Sequence, residues 1–238
     1  MNAIEICLYE LTSLLERVGG LASLTLLALV AAATVLLPLR FGAGLLDPLF
    51  LTVYTAVAPL LAGNFIARGF ASEKARTHII NDGDAPLAVA TGKILAAALW
   101  GLFTWAVLTA IPLISLNSIA RRMMLPPAAL MAALALFAFS SSWLASALGS
   151  IFAVEAANPR QAQTFVRGII LLPLLIVAVT YTVLGGDARL SLMRLLESPR
   201  LPFVLLVLSI GLLVLGQLAV RHTASKIDEL RHPLSITE

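Results

Sequence analysis

The sequence predicts an all-α integral membrane protein: six transmembrane helices, an N-terminal amphipathic helix lying at the interface, and a short cytosolic helix between spans two and three. Three observations predict this class. Of 238 residues, 60% are hydrophobic and 12% charged, against about 45–50% apolar in an average soluble domain. Six stretches approach or exceed the roughly 20 apolar residues that cross a hydrocarbon core of about 30 Å as helix; they fall at about 19–39, 48–67, 94–116, 126–152, 168–185 and 201–220. Their interiors hold no Asp, Glu, Lys, Arg or His, and Arg40 and Arg167 only border them. Neither internal repeats nor low-complexity linkers divide the chain, so residues 1–238 read as one domain.

Residues 2–18 open the chain. Ile4, Leu8, Leu11, Leu15 and Val18 recur at helical spacing, while Glu5, Glu10, Glu16 and Arg17 lie off that stripe, the pattern of a helix resting at a membrane interface. Its acidic bias suits anionic lipid poorly, so docking against protein is the alternative. The first apolar run is long, follows polar residues and lacks a small-residue cleavage pattern, which reads as a retained span.

Pro38 closes span one and Asp47-Pro48 opens span two, leaving a turn so short that the two helices are antiparallel neighbours. Pro59, Pro112 and Pro173 fall inside spans two, three and five, where each removes a backbone donor. Kinks are expected there, either repaired by neighbouring helices or used as hinges. Pro126-Pro127 starts span four, where a missing N–H costs nothing. That span carries Ser140, Ser141, Ser142, Ala145, Ser146 and Gly149, small residues that allow close helix packing or line a polar path. Leu190, Met193, Leu195 and Leu196 alternate with Arg189, Arg194 and Glu197 before span six, suggesting a short amphipathic helix at the outer surface. The tail 221–238 is polar and meets a breaker at Pro233; it reads as a frayed helix followed by a disordered end.

The charged interruption at 68–93 is the most specific segment. Ser72 is placed to cap a helix, Glu73 to meet its positive end, and Asn81-Asp82-Gly83 to stop it, which predicts a helix over 73–82. Asp84-Ala85-Pro86 then restarts helix through Thr91-Gly92-Lys93 into span three, with Lys93 able to snorkel at the membrane edge. With the amino terminus inside, ten of the 16 Lys and Arg residues fall inside, a bias that favours cytosolic termini.

Glu73, Lys74, Arg76, Pro86, Gly92 and Lys93, together with Asn158-Pro159-Arg160-Gln161-Ala162-Gln163 and the following Ile170–Leu175 run, resemble the permease subunits of ATP-binding-cassette exporters of the second type. The similarity covers nearly the whole chain. Ala75, Thr77 and His78 depart from the family pattern, as does the short step from Pro86 to Lys93. The resemblance implies that Glu73, Lys74, Arg76, Thr77, His78, Asp82, Pro86, Arg160 and Gln161 form the coupling face for a separate ATPase subunit, with 73–82 as the coupling helix. It also implies a second permease copy or a related permease as partner. ATP and Mg would belong to the ATPase. Gly92-Lys93 has Leu87 where a phosphate loop needs Gly and Ile94 where it needs Ser or Thr, so the chain itself carries no such motif. The expected location is a bacterial inner membrane.

Tyr54, Asn64, Phe103, Trp105, Phe137, Ser141 and Trp143 are candidates to line a substrate path, although aromatic residues near span ends more often anchor at the interface. The competing class is an ion-coupled secondary transporter or channel, which charge-free spans disfavour. An intramembrane enzyme is disfavoured as well: His78, His222 and His232 all lie in predicted cytosolic segments, and no GxSxG or HExxH occurs. Cys7 is the only cysteine, which excludes an intrachain disulfide and a cysteine metal cluster. Basic residues are too dispersed for nucleic-acid binding.

Overall fold

Why the apolar stretches become helices follows from the solvent: in hydrocarbon a backbone must satisfy its own hydrogen bonds. The computed structural model describes residues 1–16, 48–75, 84–120, 126–156, 158, 160–168, 179, 183, 194 and 198–231. Among these residues all regular structure is helical and no strand occurs. The helices are α1 (Ala3–Glu16), α2 (Pro48–Ala75), α3 (Pro86–Ala120), α4 (Ala128–Glu155), α5 (160–168) and α6 (Leu201–Arg231).

Helices α3, α4 and α6 are each long and apolar enough to cross a membrane, and α2 contains a shorter apolar stretch, Val57–Phe70. The chain is therefore an integral membrane protein. The expected spans at 94–116 and 201–220 lie within α3 and α6, the one at 48–67 lies within α2, and the one at 126–152 begins two residues before α4 and otherwise lies within it. Span one, the turn to span two, most of span five and the amphipathic segment around Leu190–Leu196 lie outside the described residues, as does Pro173.

Helix starts match the proline signals. Ala85 accepts hydrogen bonds from the N–H groups of Ala88 and Val89, with Pro86 in the first helical position, where it loses nothing. Pro127 precedes α4 in extended conformation and accepts from Met131. Helices α2 and α3 continue through Pro59 and Pro112.

Two expectations are corrected. Helix α2 runs unbroken through Ser72 and Glu73 to Ala75, so no new helix starts at Ser72. Extending an existing helix costs far less than nucleating another, and Ala71 to Ala75 has no Gly or Pro to stop it. The tail also differs: α6 continues past the apolar span to Arg231, with Val220, Thr223, Ala224 and Ile227 buried. Those four residues make an i, i+3, i+4, i+7 stripe, packed rather than frayed.

Helix α4 is the centre of the bundle, with α2 and α6 packed most extensively on it and α3 touching α2, α4 and α6. One core cluster joins Ala62, Ile66 and Phe70 of α2, Ala90 and Ile94 of α3, Val154 of α4, Ala162 and Val166 of α5, and Val220 and Ile227 of α6. A second gathers Ala58, Trp105, Leu130, Leu134 and Ala138. At the α2–α4 crossing a Cβ on Gly149 would stand 2.9 Å from the Gly63 carbonyl oxygen, so glycine is what lets the two backbones meet.

Candidate functional site

The chemistry-bearing residues concentrate at one end of the bundle, where α2 and α4 finish and α3 and α5 begin. Asn158 caps α5, its Oδ1 accepting from Gln161 N–H at 2.9 Å, and Ala162 and Val166 then bury the inner face of the helix. Arg160 and Gln161 are left exposed beside Glu155. Pro86 is half-buried at the start of α3. Glu73 and Lys74 lie on the backbone of α2 near its end, their side chains outside the described residues together with all of Arg76, Thr77, His78 and Asp82. The structure thus brings the Pro86 step and the Arg160-Gln161 step to one end of the bundle, and the 76–83 segment is not described.

Helix α1 is built into this end. A Cβ at Gly92 would stand 2.7 Å from the Ala3 carbonyl oxygen and 2.8 Å from Ile6 Cβ, so α1 crosses α3 directly over Gly92. Ile6 and Cys7 are buried in that contact. Lys93 Nζ donates to Glu10 Oε1 at 2.6 Å, with the side chains 10% and 17% exposed, and lies 5.6 Å from the centre of the Phe70 ring. Lys93 does not snorkel: it is withdrawn from solvent and held by a carboxylate and an aromatic face, an arrangement that offsets the cost of removing both charges from water. The Met1 amino group also pairs with Asp84. Asn2 and Glu5 form a reciprocal cap at 2.9 Å in each direction, the capping-box arrangement with Asn in place of Ser or Thr. Burial and the nearby Glu10 carboxylate push the Cys7 thiol above its ordinary pKa of 9.0. Ile4 and Leu8, from the apolar stripe, are instead 66% and 58% exposed, with Tyr9 beside them. One face of α1 thus docks on α3, and the other presents an apolar surface.

Among the described side chains, the candidate path residues do not gather around one cavity. Phe103 is exposed on α3, its ring 5.6 Å from that of Trp100. Trp105 belongs to the second core cluster. Phe137 is half-buried. Ser141 returns its hydroxyl to the Ala138 carbonyl at 3.1 Å. Tyr54 lies in α2 with its side chain outside the description. Asn64 is half-buried with Oδ1 enclosed; among the described residues that oxygen has no hydrogen-bond partner, as is also true of the hydroxyls of Thr104, Ser142 and Ser146. Trp143 does line a cavity of about 460 Å³ with Leu95, Phe139, Leu213, Val214 and Gln217, within the usual ligand-pocket range of ~300–1,000 Å³. Sequence reading missed this cavity, for which Gln217 in an otherwise apolar span was the available signal. It also missed the Ser150–Thr223 hydroxyl pair, 2.7 Å apart and buried between α4 and α6, signalled by Thr223 within the tail's apolar stripe.

Compared with protein-family models, curated proteins and solved structures, the chain matches none.

Proposed function

We propose that the chain is the membrane-spanning subunit of an ATP-driven exporter, similar to the permeases of the second type of ATP-binding-cassette exporter. In this reading it has six spans and cytosolic termini, resides in a bacterial inner membrane and pairs with a second permease. A separate ATPase subunit, which binds ATP and Mg, docks on 73–90 and on the step at 158–163.

The observation that supports it is the clustering at one end of the bundle. The polar extension of α2, the Pro86 start of α3, the buried Lys93–Glu10 pair and the Asn158-capped start of α5 adjoin a single core cluster. A push delivered at that end reaches packed side chains of α2, α3, α4, α5 and α6 together. ATP binding shifts an inward–outward equilibrium only through contacts that differ between the two states, and a stiff end tied to α2, α3, α4, α5 and α6 is suited to carry them. Charged groups buried at the end of a bundle fit this role better than ion coupling, which calls for titratable groups at membrane depth.

The test is co-purification with candidate ATPases, with ATP turnover measured in vesicles. Glu73→Ala, Arg76→Ala and Arg160→Glu should each weaken the complex and lower turnover while the permease still folds. If all three leave both readouts unchanged, the assignment of this end as the coupling face is wrong.

A further inference from the structure

We infer that the cavity between α3, α4 and α6 is a binding site for an anionic phospholipid. Its acyl chain would lie against Leu95, Phe139, Trp143 and Leu213, its ester region at Gln217, and its phosphate at Arg221.

The cavity is apolar except at its mouth. Val214 and Gln217 are exposed on α6, so it opens on the membrane-facing side. Trp143 closes the back, its indole ring packed on Gly216, where a Cβ would fall 2.8 Å from Nε1, and its face set against Phe139 at 6.3 Å between centroids. Among the described residues neither the Trp143 indole N–H nor the Gln217 side-chain amide is hydrogen-bonded. An amide left unpaired toward hydrocarbon is costly, and an ester carbonyl is the acceptor that a bilayer supplies at that depth.

Depth and charge indicate which lipid. Leu95 lies two residues from Lys93 and Gln217 four from Arg221, so the cavity sits just inside the boundary where polar residues resume. Residues four apart on a helix are neighbours on one face, which puts exposed Arg221 one turn beyond Gln217 at headgroup level. Among the described residues Arg221 has no ion-pair partner. Basic residues at the rim of a pocket between transmembrane helices suit a phosphate of an anionic lipid, and the bidentate guanidinium geometry favours it further. The site is independent of any ATPase.

Trp143 reports on its own occupant. In a Trp100→Phe, Trp105→Phe background it is the only tryptophan. The protein is reconstituted in phosphatidylcholine vesicles containing a minor fraction of dibrominated phosphatidylglycerol or, in parallel, dibrominated phosphatidylcholine. The anionic brominated lipid should quench Trp143 several-fold more effectively at equal mole fraction. Gln217→Leu and Arg221→Gln, both on the exposed face, should each bring the two lipids toward equal quenching. Equal quenching in the parent would reduce the site to ordinary boundary lipid and overturn the proposal. A preference unchanged in both variants would overturn the assignment of Gln217 and Arg221. If neither lipid quenches and Gln217→Cys cross-links two chains in the vesicle, a second copy covers the mouth and the proposal fails.

Discussion

Helix α4 packs against a neighbour on each side, and the two crossings use glycine differently. Toward α2, glycine and alanine bring backbone against backbone: Gly63 faces the Ala145 carbonyl, Gly149 faces Gly63, and Val166 of α5 fills the remaining space. Toward α6, Trp143 rests on Gly216 and a cavity of about 460 Å³ remains beside it. The same helix closes on α2 backbone to backbone and meets α6 through a ring propped on Gly216. Side-chain size at the crossing decides which, because in lipid the association rests on packing and hydrogen bonds rather than on expelling water. Exposure agrees: 44% of the most apolar stretch of α3 and of α4 is buried within the chain, against 22% of α6. Of these three helices, α6 is the one turned most toward its surroundings.

The largest break in this comparison is Trp143→Ala. It removes the prop and should cost about 3 kcal/mol or more, read as a lowered melting temperature in detergent; little change would mean that the ring is not part of the packing. On the closed side, Gly149→Ala drives a methyl toward a backbone carbonyl and should cost about 1–3 kcal/mol. Gly211→Ala on α6, where nothing lies within 4 Å, should instead be neutral or gain up to about 1 kcal/mol from helix propensity. Equal costs at the two glycines would show that Gly149 is not held against the Gly63 carbonyl.

A smaller effect comes from the hydroxyl pair tying α4 to α6. Each hydroxyl has one hydrogen and lies within reach of a carbonyl of its own helix, Ala147 for Ser150 and Ala219 for Thr223, so neither is stranded when its partner goes. Ser150→Ala and Thr223→Val should each cost about 1 kcal/mol, with a coupling near 0.6 kcal/mol in a double-mutant cycle. The mildest probe concerns the other glycine-closed contact, α1 over α3. Because the Cys7 thiol is buried and its pKa raised, it stays protonated at pH 8 and should alkylate slowly, the rate rising as pH approaches and passes the raised value. Gly92→Val should displace α1 and speed the reaction many-fold at the same pH. A rate unchanged by that substitution would show that α1 is not docked there in solution.

Legibility in the sequence followed locality. Ala85-Pro86 and Pro126-Pro127 announced the starts of α3 and α4 because a proline acts on its own turn. The continuation of α2 through Ser72 was not legible: capping preference is a local vote that an established helix overrides. The 76–82 part of the expected coupling helix lies outside the described residues. The apolar stripe of α1 was visible in the sequence. Its protein contact depended on Ile6, Cys7 and Glu10 meeting Gly92 and Lys93 across more than eighty residues of chain. Trp143 was singled out as a path residue, yet its cavity exists only where α3, α4 and α6 converge, which no periodicity along a single helix encodes.

Helix α6 has one more consequence, in lengths. Its 31 residues make a rod of about 46 Å at 1.5 Å per residue. A hydrocarbon core is about 30 Å thick. With no proline between Pro202 and Arg231 and no break before Arg231, some 15 Å of that rod extends beyond the bilayer core without a joint. Whatever grips Ile227 or its neighbours grips the buried segment too, and a tilt imposed in water becomes the same tilt among the lipid tails.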